Sequence, residues 1–123
     1  MPKLLIVDDE ADVREFAANF FRKRKIEVAI ASNGEEALGL LETLTPELIL
    51  LDIKMPGIDG IETLRRIKAR FPGMKVVMVT GKKPEEDDSL YTCNQLGALG
   101  YIHKPLELDE LERAVMEALK NGG

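Results

Sequence analysis

The sequence has little of what marks secreted or membrane proteins. It contains one cysteine, Cys93, so no disulfide can form within the chain, which fits a reducing compartment. No run of 18 or more apolar residues is present, and this argues against a transmembrane helix. Residues 1–7 lack the charged start, the long apolar segment and the cleavage site of a signal peptide. We therefore expect a cytoplasmic protein that does not associate with membranes.

An excess of positive charge is also missing. The chain carries 17 lysines and arginines against 22 aspartates and glutamates, which gives a net charge of −5. This balance argues against direct nucleic-acid binding through a basic face. The one basic run, residues 22–25, is typical of a solvated helix end. With 123 residues and 45% hydrophobic content, the sequence predicts one globular domain over residues 1–123.

Short apolar runs alternate with amphipathic helical patterns along the whole chain. The third and fourth runs are apolar on both faces, as strands are in a parallel sheet that helices cover on both sides. The five predicted strands are residues 4–7, 27–31, 48–51, 75–79 and 100–103.

Helical spacing and capping residues mark the segments between these strands. In the first segment, Phe16, Phe20 and Phe21 form one apolar stripe. Three helix ends carry capping patterns. They are Asn33 or Ser32 followed by Glu36 or Glu35 at the second helix, Asp59 followed by Glu62 at the third, and Gly97 at the end of the fourth.

Five βα units in succession imply a parallel sheet with helices on both faces, and right-handed crossovers leave few topologies. We predict a doubly wound, flavodoxin-like α/β fold with strand order 2-1-3-4-5. In such sheets the binding site lies at the carboxyl ends of the strands, near the point where the strand order reverses. Here that point lies between strands 1 and 3.

Polar side chains follow the strands at this edge. Asp8 and Asp9 follow strand 1, Asp52 follows strand 3, Thr80 follows strand 4 and Lys104 follows strand 5. Three carboxylates brought together repel one another, and either protonation or a divalent cation relieves the repulsion. Mg²⁺ prefers oxygen ligands and often takes only one or two carboxylates. The natural direct ligands are Asp9 and Asp52, with Asp8 acting directly or through water.

The same residues suit phosphoryl transfer. A carboxylate such as Asp52 can act as a nucleophile and form an aspartyl phosphate. The transferred group then needs its charge neutralised. Lys104 offers an ammonium for this purpose, the Thr80 hydroxyl can donate a hydrogen bond, and Gly81 leaves the approach open.

At these residues the sequence resembles the response-regulator receiver family, over essentially the whole chain. Each motif alone is weak, but all of them in order at strand ends are highly specific. The motifs are Leu5-Ile6-Val7-Asp8-Asp9-Glu10, Asn33-Gly34-Glu35-Glu36-Ala37-Leu38, Leu50-Leu51-Asp52-Ile53-Lys54-Met55-Pro56-Gly57-Ile58-Asp59-Gly60, Val79-Thr80-Gly81 and Tyr101-Ile102-His103-Lys104-Pro105-Leu106.

The resemblance implies a phosphorylation-dependent signalling switch of a two-component system. Asp52 would accept the phosphoryl group from a sensor histidine kinase or a phosphotransfer protein. Asp8 and Asp9 would hold Mg²⁺ together with Asp52 and the backbone carbonyl of Lys54. The domain would catalyse its own phosphorylation and dephosphorylation and would not be an enzyme in the strict sense. Helix 4, strand 5 and helix 5 would signal to an output domain or target protein, and a phosphorylation-dependent homodimer through that face stays open.

The resemblance also implies a switch pair and a phosphate ligand. Thr80 would move toward the phosphate, and Tyr101 would turn inward behind it. Lys104 would bind the phosphate, and its peptide bond to Pro105 would be cis, as cis bonds are essentially confined to proline. The spacing from Thr80 to Lys104 is two residues longer than is usual in the family, and we place the extra length in residues 82–89.

Two alternatives belong to other functional classes. A Mg²⁺-dependent phosphohydrolase that turns over through an aspartyl phosphate uses similar chemistry, although it normally needs a substrate pocket and a second acid/base group. A pseudo-receiver would be a binding module that keeps the fold without the chemistry. Mg²⁺ affinity and turnover of small phosphomonoesters discriminate between these hypotheses.

Overall fold

Strands and helices alternate along the chain, as predicted. The structure is a computed structural model that describes residues 3–81 and 88–120. Within these residues no helix is long and apolar enough to cross a membrane. The elements are β1 (Lys3–Val7), α1 (Ala11–Arg22), β2 (Glu27–Ala31), α2 (Gly34–Leu40), β3 (Leu48–Asp52), α3 (Gly60–Arg70), β4 (Val76–Thr80), α4 (Ser89–Gln95), β5 (Gly100–His103) and α5 (Leu108–Lys120).

The five strands form one parallel sheet in the order β2-β1-β3-β4-β5, which confirms the predicted flavodoxin-like topology. Strand β1 lies between β2 and β3, so the strand order reverses beside β1. Parallel register aligns Ile6 with Leu50 and Leu50 with Val77 across the three central strands. The carboxyl ends of β1, β3, β4 and β5 therefore share one edge of the sheet.

Alternating side chains of the sheet supply two cores, one on each face. Leu4 and Ile6 pack with residues of α1 and α5, including Phe21 and Leu111. Their neighbours Leu5 and Val7 point to the other face, where helices α2, α3 and α4 cover them. A slip of one residue in any central strand would exchange the two faces, so the apolar pattern fixes the register. Fixed register in turn fixes which residue ends each strand.

The bounds of three strands differ by one residue from those predicted. Asp52 and Thr80 are the last residues of β3 and β4 rather than the first residues beyond them, while β1 begins at Lys3. Asp52 stays in the ladder because it pairs with Val79, and the next amide, of Ile53, donates to the Val79 carbonyl at 3.0 Å. The two polar residues are therefore held by sheet hydrogen bonds.

The predicted helix ends are confirmed. Asn33 caps α2, since its side chain accepts a hydrogen bond from the amide of Glu36 at 2.8 Å, and the Glu36 carboxylate accepts from the amide and hydroxyl of Ser32. Asp59 caps α3 in the same way through the amide of Glu62. Gly97 has φ +96° and follows the last turn of α4, a left-handed backbone conformation that favours glycine.

The aromatic stripe of α1 is narrower than predicted. Phe21 is fully buried, but 46% of Phe16 is exposed. Ala17, Ala18 and Phe21 face the sheet, and Phe16 lies to the side of that face. It lines an open apolar groove beside Leu106. The spacing of phenylalanines alone did not show where the buried face is centred.

Candidate functional site

Two carboxylates are buried at the reversal point of the sheet. Asp8 follows the last residue of β1 and Asp52 ends β3, and each is only 3% exposed. The amide of Asp8 donates to the Ala31 carbonyl at 3.1 Å, and its own carbonyl accepts from Nη1 of Arg14 at 2.8 Å. The backbone of Asp8 is thus held by β2 and by α1.

Lys104 connects these carboxylates. Its Nζ lies 3.1 Å from Oδ2 of Asp8, 3.1 Å from Oδ2 of Asp52 and 2.8 Å from Oε1 of Glu10. The amide of Lys104 donates to the carbonyl of Thr80 at 2.8 Å, which fixes the lysine backbone to the end of β4. One ammonium therefore offsets part of the charge of three carboxylates.

The electrostatics of the site are set by burial and by like charges. Burial raises the pKa of Asp52 to about 6, and the neighbouring charges of Asp8 and Asp9 add to that rise against the opposing effect of Lys104. Burial likewise raises the pKa of Asp8, although its hydrogen bond from the Glu10 amide and the charge of Lys104 oppose the shift. In the metal-free protein the ionised form of Asp52 is thus held at a free-energy cost.

The pKa of Lys104 moves the other way. Burial alone would lower it, but the hydrogen bond to Glu10 and the charges of Asp52 and Asp8 outweigh burial and raise the pKa above its ordinary value. Lys104 consequently stays protonated throughout the physiological range and supplies a permanent positive charge beside Asp52.

The residues present fit a divalent cation. Carboxylate oxygens of Asp8, Asp9 and Glu10 all lie within 4.8 Å of one another. Asp9, Asp52 and Lys54 line one open cleft with Glu10 and Lys104. Hard oxygen donors with excess negative charge are what Mg²⁺ prefers. The structure thus brings the predicted residues Asp8, Asp9, Asp52 and Lys54 to one site.

Glu10, the last residue of the acidic run after β1, also belongs to the site, although the sequence motifs predict no role for it. Its amide donates to Oδ1 of Asp8 at 2.9 Å, and its carboxylate takes the shortest of the three contacts with Lys104. A side chain three positions beyond the last strand residue reaches the site because the chain turns there into α1. The position of Glu10 directly after Asp8 and Asp9 was a signal in the sequence. The sequence did not show that its side chain turns toward Lys104.

The loop after β3 is packed closely against the end of that strand. A Cβ atom at Gly60 would lie 2.2 Å from the Asp52 carbonyl oxygen, so only glycine fits where α3 begins. The amide of Gly60 donates to the Ile53 carbonyl at 2.7 Å. From α2, Oε1 of Glu35 accepts a hydrogen bond from the amide of Ile58 at 3.0 Å. Both contacts constrain the segment that carries Lys54.

The predicted switch residues lie on neighbouring strands. Thr80 is 3% exposed at the end of β4, and Tyr101 on β5 is 45% exposed with its ring edge-on to His103 at 5.6 Å. The peptide bond between Lys104 and Pro105 is cis, as predicted. Most of residues 82–89, where we place the extra length, lies outside the described residues.

Comparison with known proteins agrees with this geometry. The family model for the response regulator receiver domain matches residues 4–116. Sporulation initiation phosphotransferase F of Bacillus subtilis (strain 168) is 38% identical over 117 residues, which cover 95% of this chain and 93% of that protein. Regulatory protein AtoC of Escherichia coli (strain K12) is 35% identical over 96% of this chain, which spans only 25% of that longer protein.

Solved structures match over nearly the full length. A response regulator receiver domain protein (CheY-like) from Methanospirillum hungatei JF-1 has a TM-score of 0.92 and 32% identity, covering 99% of this chain and 96% of that one. The response regulator protein TrrA from Thermotoga maritima, in complex with Mg²⁺-BeF, has a TM-score of 0.83 and 32% identity, with coverage of 96% and 99%. By sequence and by fold, this chain belongs to the response-regulator receiver-domain family of two-component signalling proteins.

Proposed function

We propose that Asp52 is the phosphoacceptor of this receiver domain and that residues 1–123 form one phosphorylation-dependent signalling switch. The observation that carries the proposal is the position of Lys104, whose ammonium lies 3.1 Å from both buried carboxylates. A permanent cation at that point is suited to bind the oxygens of a phosphoryl group on Asp52. Family membership supports the same residue.

We propose that Asp8, Asp9 and Asp52 hold Mg²⁺ with the backbone carbonyl of Lys54. Bound there, Mg²⁺ would supply positive charge to the transferred oxygens and offset the repulsion among the carboxylates. The cleft that Asp9, Asp52 and Lys54 share supports this set. The related TrrA structure holds Mg²⁺-BeF, which is consistent with the proposal.

The reaction proposed is transfer from a phosphohistidine of a sensor kinase or phosphotransfer protein. An Asp52 carboxylate oxygen attacks phosphorus and forms an O–P bond, the P–N bond breaks, and its electron pair returns to the imidazole nitrogen of the donor. The Lys104 ammonium neutralises part of the charge on the transferred oxygens, and the Thr80 hydroxyl donates a hydrogen bond to one of them. Water later attacks the same phosphorus in autodephosphorylation, which restores the Asp52 carboxylate and releases inorganic phosphate.

We propose that phosphorylation shifts a two-state equilibrium at α4, β5 and α5. Thr80 would follow the phosphate, and Tyr101 would occupy the space behind it. Several large apolar side chains are exposed on these elements or in the turn between α4 and β5, which supports a contact surface for an output domain, a target protein or a second copy. They are Tyr91, Leu99, Tyr101, Leu108 and Met116.

Membership of the family supports our proposal for the partners and the location. From the family we propose a sensor kinase or phosphotransfer protein upstream, and a location in the cytoplasm. Longer relatives such as AtoC carry additional sequence beyond the matched segment, which supports an output domain or target protein as the downstream partner. We expect no direct binding of nucleic acid by this domain. The phosphohydrolase alternative is not favoured, because the matching family is that of receiver domains and the residues around Asp52 are those of a phosphorylation switch.

Intact-mass measurement tests the proposal. The protein is incubated with acetyl phosphate and Mg²⁺ beside Asp52→Asn, with and without a chelator. We expect one phosphoryl adduct in the parent that depends on Mg²⁺ and is missing in the variant. An adduct of equal size in Asp52→Asn would refute the assignment of the acceptor. Failure of the parent to bind Mg²⁺-beryllofluoride would instead indicate a pseudo-receiver.

A further inference from the structure

Lys104 has no spare hydrogen-bond donor in this structure. An ammonium carries three N–H groups, and three carboxylates, of Asp8, Asp52 and Glu10, lie within 3.1 Å of its Nζ. A phosphoryl group on Asp52 needs one of these donors. We infer that Glu10 is a positioning residue that holds Lys104 in the resting protein. On phosphorylation the Glu10 carboxylate releases the Lys104 N–H group, which then donates to the phosphoryl group. Because Glu10 competes for Lys104, it weakens phosphoryl binding.

The three partners of Lys104 differ in how readily they can leave. Asp52 bears the phosphoryl group itself. The side chain of Asp8 is 4% exposed, and its Oδ1 is held by the Glu10 amide at 2.9 Å. The side chain of Glu10 is 59% exposed, so water can solvate its carboxylate once it turns away. Release of an exposed ion pair costs little free energy, and Glu10 is therefore the partner that yields.

The backbone of Glu10 does not have to move for this exchange. Its carbonyl accepts the first helical hydrogen bond of α1, from the Arg14 amide at 3.0 Å, and its amide is bonded to Asp8. Rotation of the side chain alone separates its carboxylate from Lys104. The exchange is a local rearrangement of one ion pair and involves no covalent step.

Charge leads to the same conclusion. Three carboxylates, of Asp8, Glu10 and Asp52, already contact the Lys104 ammonium, Asp9 lies beside Asp8 and Glu10, and the phosphoryl group adds further negative charge. Glu10 thus opposes the phosphoryl group twice, by repulsion and by occupying a donor of Lys104. Because Glu10 is exposed, we expect the repulsion to be screened by salt.

The test compares the beryllofluoride affinity of the parent with that of Glu10→Gln and Glu10→Ala at saturating Mg²⁺, by fluorine NMR of the bound anion. We expect about three-fold tighter binding in Glu10→Gln, the size of one exposed ion pair, and at least as much in Glu10→Ala. The gain should shrink at high salt. Glu117→Gln is the matched control, because it removes the same charge from α5 beside Lys75, at the opposite end of the sheet.

A second measurement separates this role from metal ligation. Mg²⁺ affinity without beryllofluoride, by calorimetry, should change by less than about three-fold in Glu10→Gln. Loss of Mg²⁺ affinity together with weaker beryllofluoride binding would make Glu10 a metal ligand and overturn the inference. Equal beryllofluoride affinity in parent and variant would also overturn it. The inference rests on the proposed function, and a parent that fails to bind beryllofluoride would refute that function first.

Discussion

The Asp52 carboxylate is buried in the metal-free protein, and its ionised form destabilises the fold. The substitution Asp52→Asn measures the size of that destabilisation. Burial raises the pKa of this carboxyl from 3.8 to about 6. At 1.36 kcal/mol per pKa unit, ionisation at pH 8 destabilises the fold by about 3 kcal/mol relative to the neutral acid. Asparagine resembles the neutral acid, but its amide nitrogen cannot accept a hydrogen bond from Lys104. We therefore expect the variant to be about 2 kcal/mol more stable at pH 8.

The pH dependence has a defined sign. Because the pKa of Asp52 is higher in the folded than in the unfolded chain, the folded state binds the proton first as the pH falls. The stabilising effect of protonation is complete below the unfolded pKa of 3.8 and is lost as the pH rises through about 6. The variant's advantage should thus be full at pH 8 and smaller at pH 5, and below the unfolded pKa of 3.8 the variant should be about 1 kcal/mol less stable than the parent, because only the weakened hydrogen bond then remains.

Urea unfolding followed by far-UV circular dichroism, in buffer with a chelator, provides the measurement. Asp9→Asn is the control, since Asp9 is an exposed carboxylate of the same cluster, and we expect it to change stability by less than about 0.5 kcal/mol. A variant at position 52 that is no more stable than the parent at pH 8 would refute the reasoning. A difference that stays constant from pH 8 to pH 5 would refute it equally, because burial of a charge would then not be its source.

Three further changes test how the site is supported. Gly60→Ala places a methyl group against the Asp52 carbonyl, so we expect the free energy of unfolding in urea to fall by about 1–3 kcal/mol and Mg²⁺-dependent phosphorylation to be slower. The control is Gly39→Ala, where a Cβ meets nothing within 4 Å. Equal loss of stability at both sites would contradict the prediction. Glu35→Ala leaves the Ile58 amide without its carboxylate, and we expect about 1 kcal/mol lower stability and weaker Mg²⁺ binding by calorimetry; unchanged Mg²⁺ affinity would show that this loop is held in other ways. Leu111→Ala empties part of the core between α5 and the sheet, and a loss of about 2–5 kcal/mol is expected without loss of phosphorylation in the folded fraction.

The sequence predicted the topology because its signals are local and repeated. Strands that are apolar on both faces occur between amphipathic helices, and that alternation leaves few arrangements. The positions of Asp8, Asp52, Thr80 and Lys104 at one edge then follow from parallel pairing, since all strands end at the same side. The family resemblance added the roles of these residues and the cis peptide bond before Pro105.

The remaining features depend on contacts that no local pattern contains. Asp52 is the last residue of β3, and not the first residue after it, because it pairs with Val79 on the neighbouring strand β4. The exposure of Phe16 depends on where the sheet centres the buried face of α1. The contact between Glu10 and Lys104 joins residues 94 positions apart. Side-chain direction at a crowded edge is set by the neighbours there, and spacing along one strand does not specify it.

Addition of Mg²⁺ should reverse the effect of Asp52→Asn. The cluster that destabilises the metal-free fold is the one proposed to bind the cation, so binding to the folded state adds RT ln(1 + [Mg²⁺]/Kd) to stability, about 2.7 kcal/mol at a hundred times Kd. The substitution removes a charged ligand, and the variant should gain much less at the same Mg²⁺ concentration. We therefore expect urea unfolding at pH 8 to show the variant more stable with chelator and the parent equal or more stable with saturating Mg²⁺. Equal gains in both proteins would place the cation away from Asp52, whereas a reversal would show that the same buried charge limits stability and creates the binding site.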